Sequence, residues 1–270
     1  MPLTFTKRPA LVAYVTCGDP SLAVTREIVL AAIDAGADVI ELGVPFSDPV
    51  ADGPVIQRAS ERALRQGTSL EKVLQLASEL RRRRPETGMI VFSYLNPIMR
   101  LGLDRFCQDA EKAGLDGALV TDLPVEEAGE YLRLMRMHRL AAVFLAAPTS
   151  TDGRLHAIAK ASSGFVYAVS RTGITGTRKD VAEDAETLVR RLRRYTRLPV
   201  AVGFGISTPE QFAAVGAFAD AGVVGSAIVE RIERNPGREA EVIADFVKQL
   251  SAVGSQLSGH VFQPDVKTES

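Results

Sequence analysis

Eight short apolar runs, each followed by a longer amphipathic segment, repeat along almost the whole chain. They lie at residues 10–15, 38–42, 89–94, 117–121, 141–145, 165–170, 199–202 and 217–224. Most are rich in Val, Ile and Ala with little polar alternation, the pattern of parallel strands covered on both faces. The last is the least strand-like. Between them, residues 22–35 and 70–83 space their apolar side chains by three and four, which puts a stripe on one helical face, and 103–113 reads as a further helix. Gly36 and Gly114 suit helix C-caps. Thr208-Pro209 and the stretch 150–152 suit helix starts. Eight β-then-α units with no interrupting linker predict an α/β fold, a single (β/α)₈ TIM barrel. The alternative is an open doubly wound sheet, but the chain lacks the G-x-G-x-x-G turn after its first run that a dinucleotide fold favours.

The 270 residues fit one such barrel, predicted over 1–253, with a disordered Ser-, Gly- and Gln-containing tail at 254–270. Lys plus Arg number 32 and Asp plus Glu 33, so the net charge of −1 gives no electrostatic footprint for nucleic acid or an anionic membrane. Cys17 and Cys107 are too few for a disulfide framework, and His138, His156 and His260 have no metal-ligand spacing, so no metal is expected. No apolar run reaches the roughly 18 residues of a membrane span, and without a targeting segment the cytoplasm is the expected compartment. The arginine run at 81–84 sits at a predicted helix end, where it reads as a solvated terminus complementing the helix dipole.

In a barrel of this kind the chemistry sits at the C-terminal ends of the strands. The second run ends in Glu41-Leu42-Gly43. Alternation places Glu41 at the rim near the mouth, where it is either a proton-transfer group with a raised pKa or a glutamate paired with a nearby cation. The loop that follows carries Asp48 and Asp52 among prolines and glycine. These are ordinary turn residues, or carboxylates sharing a pocket with Glu41 and dividing acid and base roles. Glycine-rich turns follow the sixth, seventh and eighth runs, at 170–177, 203–207 and 222–227. Such turns either close loops or let backbone N–H groups approach an anion, helped by the dipole of the next helix. Neither of the last two contains Lys or Arg, so an anion there must rely on N–H groups and that dipole. Together these features reach a phosphate-binding barrel with an acidic rim.

The segment Glu41-Leu42-Gly43-Val44-Pro45-Phe46-Ser47-Asp48-Pro49-Val50-Ala51-Asp52-Gly53-Pro54-Val55-Ile56-Gln57 resembles the signature of tryptophan synthase α subunits. So do Thr16-Cys17-Gly18-Asp19-Pro20, Tyr94-Leu95-Asn96-Pro97, Asp122-Leu123-Pro124-Val125-Glu126-Glu127 and Gly203-Phe204-Gly205-Ile206-Ser207. The resemblance covers about residues 9 to 250. It implies a lyase of tryptophan biosynthesis that cleaves indole-3-glycerol phosphate by a retro-aldol reaction to indole and glyceraldehyde 3-phosphate. By position it makes Glu41 and Asp52 the catalytic carboxylates. It puts the phosphate on Gly176, Gly205, Gly225 and Ser226, and the indole among Phe92, Tyr94, Tyr167 and Phe204. Thr175, in the loop after the sixth run, would bond to the aspartate on closure.

The same resemblance implies no cofactor in this chain and a β subunit that carries pyridoxal phosphate, in an α₂β₂ assembly. Docking would use the mouth of the barrel, through loops at 45–53, 96–101 and 122–127 with Pro49, Pro97 and Ile98 exposed, and would close the segment 171–179. The alternatives are a stand-alone lyase releasing free indole, and a non-catalytic barrel that binds and activates a β subunit. Two departures stand out. Only about nine residues precede the first run, where many relatives carry a helix that plugs the barrel, and Cys17 stands where Ala or Leu is common.

Overall fold

The computed structural model describes residues 3, 5, 7–169, 178–203 and 205–258. The chain alternates β1 (Ala10–Thr16), α1 (Leu22–Asp34), β2 (Val39–Gly43), α2 (Pro54–Arg65), α3 (Leu70–Arg83), β3 (Gly88–Ser93), α4 (Leu95–Leu101), α5 (Leu103–Lys112), β4 (Gly117–Val120), α6 (Gly129–Met137), β5 (Ala141–Val143) and β6 (Leu145–Ala146). It continues through α7 (Asp152–Ala161), β7 (Val166–Val169), α8 (Arg178–Leu192), β8 (Val200–Gly203), α9 (Pro209–Gly216), β9 (Ala221–Val224), α10 (Ser226–Arg234) and α11 (Glu239–Ser258). All pairings are parallel, in the order β5-β4-β3-β2-β1-β9-β8-β7-β6. The two ends of that order, β5 and β6, are consecutive in the chain. They are halves of one predicted strand, divided at Phe144, whose carbonyl accepts from Tyr167 N at 3.1 Å. The first half pairs with β4 and the second with β7, and this closes the (β/α)₈ barrel.

The period-2 geometry of the strands sorts their side chains into two cores. Those pointing outward pack under the helices, among them Leu11, Ala13, Ile40, Leu42, Val91, Val200 and Val202. Those pointing inward, Val12, Val39, Ile90, Leu119, Val143, Phe165 and Ala201, fill the barrel itself. The bottom of that inner core is covered by the short N-terminal segment. Leu3 is 5% exposed and belongs to the inner cluster, and the Phe5 ring lies 5.5 Å from that of Phe165. Two apolar side chains thus occupy the place for which many relatives were expected to use a helix.

Local signals acted as expected at several helix ends. Thr208 caps α9 by accepting from Gln211 N, and Thr151 caps α7 by accepting from Arg154 N. Gly36 and Gly114 leave their helices at φ +108° and +75°. Three expectations need correction. Residues 96–101, expected as a loop, fall within α4, because the Asp122 carboxylate caps its first turn from another strand end, accepting from Leu95 N at 2.7 Å. The last run is a strand only from Ala221, since residues 217–219 close α9 through Ala219 N to Val215 O. The arginine run is not wholly solvated. Arg81 reaches Asp116 at 2.7 Å and the carbonyls of Gly114, Pro85 and Thr87, while Arg84 pairs with Asp34 at 2.6 Å. At the other end, α11 continues through Ser258, past the predicted tail boundary at 254, and residues 259–270 lie outside the described residues. No described helix is long and apolar enough to cross a membrane.

Candidate active site

The mouth of the barrel opens into a cavity of about 480 Å³. Glu41, Asp52, Phe92, Tyr167, Gly205, Gly225 and Ser226 all line it, so seven residues expected from the sequence meet in one place. They arrive from the ends of five strands, β2, β3, β7, β8 and β9. Glu41 comes from β2, Phe92 from β3 and Tyr167 from β7, each one inward step above the apolar layer of the barrel core. Asp52 comes from the loop after β2, and Gly225 and Ser226 begin α10. Gly176, Thr175 and Phe204 lie outside the described residues.

Glu41 is fully buried, and among the described residues no group hydrogen-bonds either carboxylate oxygen. The structure therefore excludes the ion-paired alternative among the described residues. Burial pushes its pKa from an ordinary 4.5 up to about 8. At neutral pH the side chain is chiefly the protonated acid. The folded state then holds a proton that the unfolded chain releases, so Glu41 costs stability progressively as pH rises from about 4.5 to about 8. A group kept in this condition is a proton donor waiting for an acceptor.

Asp52 differs in kind. Burial raises it to about 6, and the hydrogen bond from Tyr94 opposes the rise. The Tyr94 hydroxyl donates to Asp52 Oδ2 at 3.1 Å and accepts from Ala51 N at 2.9 Å. Gln57 Nε2 reaches back from α2 to the Asp52 carbonyl at 2.8 Å. Two carboxylates in one cavity thus have separated pKa values, as a division of acid and base roles requires. Tyr94 was expected on the indole wall. It is instead 2% exposed behind Asp52, stacked near Phe46 with ring centroids 5.0 Å apart, and it does not line the cavity. Asp48, the other carboxylate of the loop, is exposed and accepts from Ser47 at 2.6 Å, which is turn chemistry.

Among the wall residues that went unnoticed in the sequence are Tyr14 and Thr121. Tyr14 of β1 stands in register with Glu41, and its ring meets Phe92 edge-on at 5.1 Å. Thr121 follows β4 and donates to the Ser93 carbonyl at 3.3 Å. The signal for Tyr14 was available in the strand alternation, which points residues 10, 12 and 14 inward together. The tyrosines also explain two glycines. A Cβ on Gly43 would come within 2.4 Å of the Tyr14 hydroxyl, and one on Gly203 within 2.6 Å of the Tyr167 hydroxyl. Each glycine is where it is because a ring crosses above it.

The family model for the tryptophan synthase alpha chain matches residues 3–257. The chain belongs to the tryptophan synthase alpha chain family. Curated relatives include the alpha chains of Solibacter usitatus, 54% identical over 84% of this chain and 85% of that one, and of Geobacter sulfurreducens, 47% identical over 94% and 96%. Among solved structures, tryptophan synthase subunit alpha from Legionella pneumophila superposes with a TM-score of 0.85 at 35% identity, covering 92% of this chain and 93% of that one. A structure of tryptophan synthase from M. tuberculosis matches with a TM-score of 0.84 at 35% identity, over 92% and 93%. As a member of this family the chain is a lyase of tryptophan biosynthesis that cleaves indole-3-glycerol phosphate to indole and glyceraldehyde 3-phosphate.

Exposure at the mouth differs in detail from expectation. Ile98 is fully buried on the inner face of α4, and the exposed apolar side chains there are Val50, 86% exposed, and Met99, 57% exposed. A helix turns one residue in three or four inward, so Met99 rather than its neighbour faces out.

Proposed function

We propose that Glu41 and Asp52 carry out the cleavage between them, within an α₂β₂ tryptophan synthase. The observation that carries the first part is the buried Glu41 carboxyl, unpartnered among the described residues, on the wall of a cavity large enough for the substrate. Protonated at neutral pH, it donates to C3 of the indole, which makes the ring a leaving group. As the carboxylate it then takes the proton from the glycerol hydroxyl next to the breaking carbon–carbon bond, and the aldehyde forms. The proton count closes: one is given to carbon, one is received from oxygen, and Glu41 ends as it began. Asp52 accepts the indole N–H and stabilises the positive charge that develops on the ring after C3 is protonated. Phe92 and Tyr167 supply apolar wall for the ring.

The phosphate binds at the other side of the cavity. Gly205 has φ +78°, and Gly225, at the N-cap of α10, offers no side chain to satisfy the first N–H groups of that helix. Those donors and the helix dipole suit an anion. Gly176 and Thr175 join the phosphate site and the closing loop in this reading by resemblance.

The partner is a β subunit that holds pyridoxal phosphate, and this chain uses no cofactor of its own. It works in the cytoplasm. What supports the docking face is the exposed apolar pair Val50 and Met99 beside the mouth from which indole leaves. Titrating the purified chain with a cognate β subunit while measuring indole release tests this. Cleavage is expected to rise severalfold and saturate at the stoichiometric point. Full activity of the isolated chain, with no complex at micromolar concentration, would instead identify a stand-alone lyase.

A further inference from the structure

A dianionic phosphate held by backbone N–H groups alone has no counter-charge, and the turns after β8 and β9 contain neither Lys nor Arg. Arg231 is the first basic residue after β9. Its side chain runs back toward the start of α10, as helical side chains do. Nη1 donates to the Ala227 carbonyl at 2.9 Å, in the first turn of the helix, and Nη2 reaches the Ser207 carbonyl of the β8 turn at 3.5 Å. Cζ lies 3.5 Å from the centroid of the Phe246 ring on α11, a cation–π contact that holds the guanidinium against that ring.

The acids of α10 are already taken. Glu230 pairs with Arg234 at 2.6 Å, and Glu233 pairs with Arg58 and Arg62, each at 2.7 Å. Among the described residues Arg231 forms no ion pair, and Glu230, the neighbouring acid whose field it feels, is itself paired with Arg234. It therefore braces the two turns that flank the phosphate cradle and brings a free positive charge to within about one helical turn, ~5 Å, of the α10 N-terminus.

We propose that Arg231 is a positioning residue that adds positive charge to the β8 and β9 side of the phosphate site, tying the β8 turn to α10 and favouring a doubly charged phosphate through its field. This rests on the phosphate reading above. A single charge acting on a dianion at this range, in a solvent-open site, is worth on the order of fivefold in affinity and is attenuated by salt.

The test compares the full chain with Arg231→Gln, which removes the charge, and Arg231→Lys, which keeps it but loses the planar fork. Glycerol 3-phosphate and indole are titrated calorimetrically at low and at high salt. The Gln variant is expected to bind glycerol 3-phosphate about fivefold more weakly at low salt and to lose most of the salt dependence. The Lys variant should stay within about twofold of the parent, and indole affinity should be unchanged in both. In cleavage the Gln variant should raise KM and leave kcat nearly as it was. Unchanged glycerol 3-phosphate binding by the Gln variant would overturn the proposal. Equal weakening in Gln and Lys would also overturn it, since that would assign Arg231 a bracing role without a role for its charge. If the Gln variant does not fold, the Lys chain carries the test: a salt slope equal to the parent's is expected, and a shallower one refutes. Gly205→Val tests the underlying reading separately. It should abolish glycerol 3-phosphate binding with Arg231 intact, and undiminished binding would move the phosphate elsewhere whatever Arg231 does.

Discussion

Glu41→Gln is expected to lower indole release from indole-3-glycerol phosphate by roughly 10²–10⁴-fold, the range for loss of a general acid/base. The substitution keeps the size of the side chain and removes only its ability to give and take a proton. No group among the described residues hydrogen-bonds the carboxyl, so no structural bond among them is lost with it. Substrate affinity should therefore change little, and the defect should lie in kcat. It should also persist when a β subunit is added, because closure cannot restore a missing proton. A variant with near-normal turnover would remove Glu41 from the chemistry and leave its burial unexplained.

Asp52→Asn is expected to cost roughly 10²–10³-fold, comparable to removing one preorganised electrostatic partner of a developing charge. Asparagine still accepts a hydrogen bond through its carbonyl, and Tyr94 and Gln57 still hold the loop, so the cavity should keep its shape. What disappears is the negative charge facing the protonated indole ring. Binding of the product indole, which is neutral, should be almost unaffected, and this contrast separates a charge effect from a collapsed loop. Normal cleavage by the variant, or loss of indole binding in step with cleavage, would contradict the role given to Asp52.

The barrel was legible because its strands are buried on both sides, rich in Val, Ile and Ala, and show little polar alternation. What blurred was wherever a distant group decides a local outcome. Residues 96–101 become helical because Asp122, from another strand end, caps them. The fifth strand breaks at Phe144 because its two halves must pair with different neighbours to close the ring. The arginine at 81 looked like solvated charge, and only the fold brings Asp116 and three carbonyls to it.

The site divided in the same way. Glu41 stood out as a carboxylate in an apolar strand, and the glycine turns as possible anion cradles. Tyr94, expected beside the indole, turned out to hold Asp52, since position in a motif says that a residue matters without saying which way its ring points. Tyr14 was missed because an aromatic residue in a strand is usually core, and here only the step of two residues above Val12 distinguishes wall from filling. Arg231 gave no sequence signal at all. Its relevance depends on a side chain that folds back along its own helix to a turn 24 residues earlier.

The most direct test is the titration of the Glu41 carboxyl itself, followed by carbon NMR in a chain carrying ¹³C-labelled glutamate, with Glu41→Gln used to assign the resonance. The expected midpoint is near 8, so that the group enters the reaction as an acid at neutral pH. A midpoint at the ordinary 4.5 would mean that Glu41 is a carboxylate throughout, unable to begin by protonating the indole ring.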